Sequence, residues 1–219
     1  LATKITFINE ISNLCEKTGV NVEDISLGIG SDNRIGSRFL RAGPAYGGSC
    51  FPKDTRALID TAKKFNTNLS IVKSVVKSNN QRKYLLLKKV IKILNGKLKN
   101  KVITFLGVTF KPNTDDMREA SSIPMINFFK KKNCDIRYYD PSGEKKEFKK
   151  IKNVKFCKDI KSACLKSDLI IIHTEWNDFK LLNFKNLVRK KNFAIYDMRN
   201  LYSPVKMKKT KIKYFGIGR

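Results

Sequence analysis

A chain of 219 residues with 41% hydrophobic content is long enough to bury one large core or two small ones, which excludes intrinsic disorder. A formal net charge of +27, from 46 Lys+Arg against 19 Asp+Glu, invites a nucleic-acid reading. Lysine dominates, however, and is spread along the whole chain without an arginine-rich arm, zinc-finger spacing or aromatic RNA-binding stripe, so most of the charge is expected to be solvated surface that steers anionic ligands.

The chain opens on "LATKITFINEISNLCEK", already in helical spacing, with Ile5, Ile8, Ile11 and Cys15 on one face beside Leu14. With neither an initiator methionine nor a signal peptide, it reads as cut from something longer. "TGVNVEDISLGIG" predicts a turn, a short helix and a glycine exit. "PKDTRALIDTAKKF" predicts a helix with Pro52 in its first turn, and "LSIVKSVVKSNNQRKYLLLKKVIKILNG" a long helix closed by Asn95-Gly96. The apolar surface of that long helix exceeds what one small domain buries, which predicts a homodimer through residues 1–97.

After Gly96 the rhythm changes. "KVITFLG", "CDIRYYDP", "VKFCKD", "DLIIIHT", "FAIYDMR" and "IKYFGIG" read as strands, and "SIPMINFFKKK" and "IKSACLKS" as helices between them. Strands that are apolar throughout and alternate with helices predict a parallel sheet covered on both faces. The expected fold is α/β: an all-helical dimerisation domain over residues 1–97, then a Rossmann-like, doubly wound domain over residues 98–219. The five cysteines are odd in number and contain no CxxC, which argues against a disulfide framework or a zinc site and points to a reducing cytoplasm. No stretch is long and apolar enough to span a membrane.

Two clusters offer chemistry. In "AYGGSCFPKD", Gly47 and Gly48 permit close backbone approach, and Cys50 stands just before Pro52 starts a helix, where the dipole is positive. Asp54 is one helical turn on, placed to act as a general base, although its charge opposes that of a thiolate. Local spacing leaves open whether Cys50 is a nucleophile or a buried structural cysteine. The second cluster, "FLGVTFKPNTDDMREASSIP", begins at the carboxyl end of the first strand, the edge where open α/β sheets bind ligands, and carries Lys111 and Arg118. It lacks GxGxxG, so it is not a dinucleotide fingerprint. Other strand ends carry Asp140, His173, Glu175 with Trp176, and Arg199; the histidine reads more readily as packed or solvated than as catalytic, Glu175 and Trp176 read equally well as structural, and Arg199 is better placed to meet an anion.

Taken together, "GSDNRIGSRFLRAGPAYGGSCFPKDTRAL" and "LGVTFKPNTDDMREASSIP" closely resemble the nucleotide-sugar dehydrogenases, and among them the UDP-glucose 6-dehydrogenases. The resemblance covers essentially the whole chain. It implies NAD-dependent oxidation of the C6 alcohol of UDP-glucose to a carboxylate through a cysteine thiohemiacetal and thioester. It implies Cys50 as the nucleophile and Asp54 as the residue assisting water or proton transfer. It implies a substrate site of Phe39, Arg41, Ala42, Gly43, Pro44, Ala45, Tyr46, Gly47, Phe110, Lys111 and Arg199, with Arg34 reaching the partner subunit's substrate. Cofactor contacts are implied for Phe51, Pro52, Lys53 and Arg118. The family's NAD-binding domain, and a lysine and asparagine that stabilise oxyanions, fall before the segment matching Leu1; Lys4 is not that lysine. The competing expectations are a non-catalytic UDP-sugar binder, a basic nucleic-acid binder, or a dehydrogenase of another nucleotide sugar such as GDP-mannose.

Overall fold

The structure, a computed structural model, describes residues 1–219. Four helices come first. Helix α1 (Ala2–Thr18) stops at Gly19, whose φ of 76° lets its N–H bond back to the Cys15 carbonyl. Helix α2 (Val22–Gly30) is capped by the Asn21 side chain, which accepts from the Glu23 N–H. Helix α3 (Cys50–Lys64) starts at Cys50, with Pro52 as its third residue. The sequence placed Cys50 just ahead of a helix beginning at Pro52; the thiol instead belongs to the first turn. Helix α4 (Ser70–Ile93) ends where Asn95 and Gly96 both take positive φ.

Six strands then form one parallel sheet in the order β3-β2-β1-β4-β5-β6. They are β1 (Val102–Leu106), β2 (Asp135–Tyr139), β3 (Val154–Phe156), β4 (Leu169–Ile172), β5 (Ala194–Asp197) and β6 (Lys213–Phe215). This is the doubly wound order, with the reversal between β1 and β4. The register places Tyr138, Phe105, Ile171, Tyr196 and Phe215 in one row across it. That row and its neighbours pack under α5 (Ser122–Lys131) and the last turns of α4, where Leu86, Leu87 and Val90 join a 21-residue core. The opposite face packs Ile170, Ile172 and Ile195 under α6 (Ile160–Cys164), α7 (Phe184–Val188) and α8 (Pro204–Lys209). Alternation along each strand sends successive residues to opposite faces, and both faces are apolar, as a buried parallel sheet requires.

Helix α4 therefore spans the join between the halves. Its first half packs on α1 and α3, and its second half covers the sheet. All five cysteines are free, and no helix is long and apolar enough to cross a membrane.

Candidate active site

The strand ends fix one wall. After β1 the chain turns at Gly107 (φ 74°), where a Cβ would lie 2.5 Å from the Thr174 Cβ, so only glycine lets β1 and β4 exit side by side. Asp140, at the end of β2, accepts from the Val108 N–H at 2.8 Å, and the Thr174 hydroxyl donates to the Thr109 carbonyl at 2.6 Å. Arg199, after β5, donates through Nη2 to the Phe110 carbonyl at 3.1 Å and through Nε to the His173 carbonyl at 2.8 Å. Phe110 and Lys111 are thereby held at the carboxyl end of the sheet. Arg199 Nε also lies 2.7 Å from Glu175 Oε2, but its N–H points at the His173 carbonyl. The pair is an ionic contact, and Glu175 Oε2 receives no hydrogen bond.

The cysteine loop forms the facing wall. The Gly48 N–H donates to the Arg118 carbonyl at 2.7 Å, and a Cβ on Gly47 would lie 2.7 Å from the Glu119 carbonyl oxygen. Two glycines are needed because backbone lies on backbone here, with the Phe110 ring against Gly48. Glu119 ties the walls together by pairing with Arg56 of α3 and, at 3.2 Å, with Lys83 of α4. The Arg56 guanidinium, helped by Lys83, holds the Glu119 carboxyl below the usual glutamate range.

Between the walls is a cavity of about 650 Å³. Of the expected residues, Cys50, Phe39, Arg41, Gly43, Ala45, Tyr46, Gly47, Phe51, Phe110, Lys111, Arg118 and Arg199 line it. Cys50 is exposed, and Arg118 reaches across to donate to the Ser49 hydroxyl at 3.0 Å while holding Asp116 in an ion pair. Phe51 stacks edge-on with both Phe39 and Tyr46, making an aromatic floor beside the thiol.

Six expected residues lie elsewhere. Ala42 lines a smaller adjoining hollow of about 310 Å³ that shares Arg41 and Arg199 with the main cavity. Pro44 and Pro52 are buried beside the cavity without lining it. Asp54 and Lys53 pair with each other in solvent, so Asp54 does not share a pocket with Cys50 as its spacing suggested. The reason is that the cavity touches only the first turn of α3, and a side chain one turn further down the helix misses it. Arg34 is exposed and paired only with Asp32, in a loop braced by Lys4, whose ammonium donates to the Ile35 and Gly36 carbonyls.

Ile5, Asn9, Ser49, Thr114 and Asp116 also line the cavity and were not foreseen. Asn9 could have been found: it is a polar residue on the face shared by Ile5 and Ile8. His173 is buried between the Ser121 hydroxyl (2.8 Å from Nε2) and the Thr174 hydroxyl (3.1 Å from Nδ1). Burial, with Arg199 adding repulsion, pushes its pKa down to about 3, so it is a neutral packing residue, as a strand-end histidine suggested.

Residues 1–81 match the family model "UDP-glucose/GDP-mannose dehydrogenase family, central domain", and residues 104–204 match the "UDP binding domain" of the same family. UDP-glucose 6-dehydrogenase of Rhizobium meliloti (strain 1021) is 44% identical over 220 positions, covering 100% of this chain and 50% of that protein. UDP-glucose 6-dehydrogenase YwqF of Bacillus subtilis (strain 168) is 42% identical, again over 100% of this chain and 50% of the relative. The chain thus spans about half the length of the curated relatives it matches. Among solved structures, a UDP-glucose dehydrogenase from the archaeon Pyrobaculum islandicum superposes with a TM-score of 0.85 at 27% identity, over 99% of this chain and 48% of its own. Two domain matches in the family's order, the sheet topology and these relatives agree that this chain belongs to the UDP-glucose/GDP-mannose dehydrogenase family.

Proposed function

We propose that these residues form the sugar-nucleotide side of an NAD-dependent UDP-glucose 6-dehydrogenase, with Cys50 as its nucleophile. One observation carries the reading: an accessible thiol shares a single cavity with Arg41, Lys111, Arg118 and Arg199. Four cations suit a diphosphate, and forked guanidiniums suit its paired oxygens. The aromatic floor of Phe39, Tyr46 and Phe51 suits a planar base or the apolar face of a sugar. UDP-glucose is preferred over other nucleotide sugars because the curated relatives at 35–44% identity carry that name.

These residues do not make a dinucleotide cradle. The crossover from β1 to α5 contains one glycine, Gly107, followed by an excursion to Ser121, where a cradle needs a tight glycine-rich turn straight into a helix. NAD, when bound by the rest of the enzyme, would supply the hydride acceptor. What this chain supplies is the covalent part. At the aldehyde level, Cys50 Sγ bonds to the carbonyl carbon and the thiol proton passes to its oxygen, giving a thiohemiacetal. With the hydride from that carbon passed to a bound NAD and the hydroxyl proton released, the sulfur would carry a thioester; water adding to it breaks the C–S bond and gives the carboxylate, the free thiol and one proton. Asp54 is paired with Lys53 and does not line the cavity.

A homodimer through the helical half belongs to the same reading. Phe7 and Leu14 of α1, Leu58 of α3, and Ile71 and Tyr84 of α4 are large apolar side chains in solvent. Arg34 does not line its own cavity and is exposed, so release from its ion pair with Asp32 would let it serve a partner's. The test is calorimetric titration of the purified chain with UDP-glucose, UDP and GDP-mannose. UDP-glucose and UDP are expected to bind in a salt-sensitive manner, with GDP-mannose weaker; failure of all three to bind contradicts the reading.

A further inference from the structure

Residues 41–47 make no main-chain to main-chain hydrogen bond, although Gly43 and Tyr46 are buried. A buried peptide group without a partner is costly, so these must be satisfied by something else. Three side chains do it. The Gly43 N–H donates to Asn9 Oδ1 at 2.8 Å, and the Gly43 carbonyl accepts from Arg82 Nε at 2.6 Å. The Tyr46 N–H donates to Asn79 Oδ1 at 2.9 Å, and the Tyr46 carbonyl accepts from Asn79 Nδ2 at 3.1 Å. Asn79 thus stands in for a paired strand at Tyr46, and Asn9 with Arg82 does so at Gly43.

All three side chains are themselves buried, at 3% exposure for Asn9, 5% for Asn79 and 4% for Arg82. They come from α1 and α4, far from the segment in sequence. Arg82 also donates through Nη1 to the Asn9 carbonyl at 2.8 Å and through Nη2 to the Ser12 hydroxyl at 3.2 Å, locking α4 to α1. The two clamped residues are also the ones that matter to the cavity. Gly43 lies against Arg199, whose Nη1 would be 3.2 Å from a Cβ there, and Tyr46 packs on Phe51 beside Cys50.

We propose that Asn9, Asn79 and Arg82 are positioning residues that hold Gly43 and Tyr46 in ligand-binding geometry, so that the packing of α1 on α4 sets affinity for the nucleotide. The inference rests on the function proposed above for its ligand, but not for its geometry. The experiment compares the purified chain with Asn79→Leu, which removes both bonds to Tyr46 at similar size, with Asn79→Asp, which keeps only the acceptor, and with Ser74→Ala at an exposed position of the same helix as a control. Two readouts are taken: UDP affinity by calorimetry at a temperature where each variant is folded, and hydrogen exchange at the Gly43 and Tyr46 amides.

Asn79→Leu is expected to weaken UDP by about tenfold or more, Asn79→Asp by less, and Ser74→Ala not at all. The Tyr46 amide should exchange slowly in the native chain, faster in Asn79→Leu, and slowly again in Asn79→Asp. Should Asn79→Leu not fold, Asn79→Asp and Arg82→Lys carry the same two readouts. Unchanged UDP affinity in a folded variant with a freely exchanging Tyr46 amide overturns the positioning role and leaves only a structural one. A native chain that ignores UDP, yet shows the expected exchange pattern, would instead sink the proposed function while the clamp stands.

Discussion

The two halves of the chain are held together by different means. The sheet half closes over apolar cores of 21 and 11 buried residues. The helical half has apolar clusters of only 4 and 3, and between α1 and α4 its interior is Asn9, Ser12, Asn79 and Arg82. Burial pushes the Arg82 guanidinium down to about 10, which leaves it protonated at neutral pH and dependent on the carbonyls around it. Rigidity in the sheet half comes from area removed from water, whereas in the helical half it comes from hydrogen bonds aimed at one loop. The first arrangement fixes Lys111 and Arg199 at strand ends, and the second fixes the segment facing them.

The contrast can be broken where it is sharpest. Phe129, fully buried under the sheet, is expected to cost about 3–5 kcal/mol when cut to alanine, read from denaturant midpoints. A loss under about 1 kcal/mol would show that the sheet core is not what holds that half. Gly47 lies at the seam. Gly47→Ala drives a Cβ against the Glu119 carbonyl and is expected to cost about 1–3 kcal/mol through overpacking, with UDP affinity falling as well. Equal stability and affinity would mean that the seam is looser than its distances imply.

The smallest effect is a pH slope. His173 is the chain's one histidine, and its folded pKa of about 3 lies below its unfolded value. Above the unfolded pKa both states are neutral and the stability is complete. As pH falls from about 6.5 toward 3 the unfolded chain gains the proton first, at a cost of about 1.4 kcal/mol per pH unit. The difference in stability between the native chain and His173→Gln should steepen toward this slope as pH falls from 6.5 to 5, and a flat difference would contradict the buried neutral assignment.

How much was legible follows the same divide. Strands such as "LIII" at β4 are apolar at every position, so a buried parallel sheet was readable, and Asn95-Gly96 marked the end of α4. Helices α7 and α8 have 5 and 6 residues, too few to show a period. The start of α3 was misread because proline at the third position is tolerated: that N–H has no helical partner to lose. In the site, the cysteine and its cations stand in recognisable motifs. Asn79 and Arg82 do not, since polar residues on a long helix read as solvent-facing. Their signal was spacing: Val75, Asn79, Arg82, Leu86 and Val90 step by three or four, which puts two polar side chains in the buried stripe.

The central claim is that Cys50 faces a nucleotide-sugar site built from both halves. Cys50 is exposed while Cys15, Cys134, Cys157 and Cys164 are buried, so a small alkylating reagent reports on it selectively. The rate of Cys50 alkylation should fall saturably as UDP-glucose is added, and less with GDP-mannose. Alkylation at an unchanged rate under UDP-glucose concentrations that saturate binding would contradict the account.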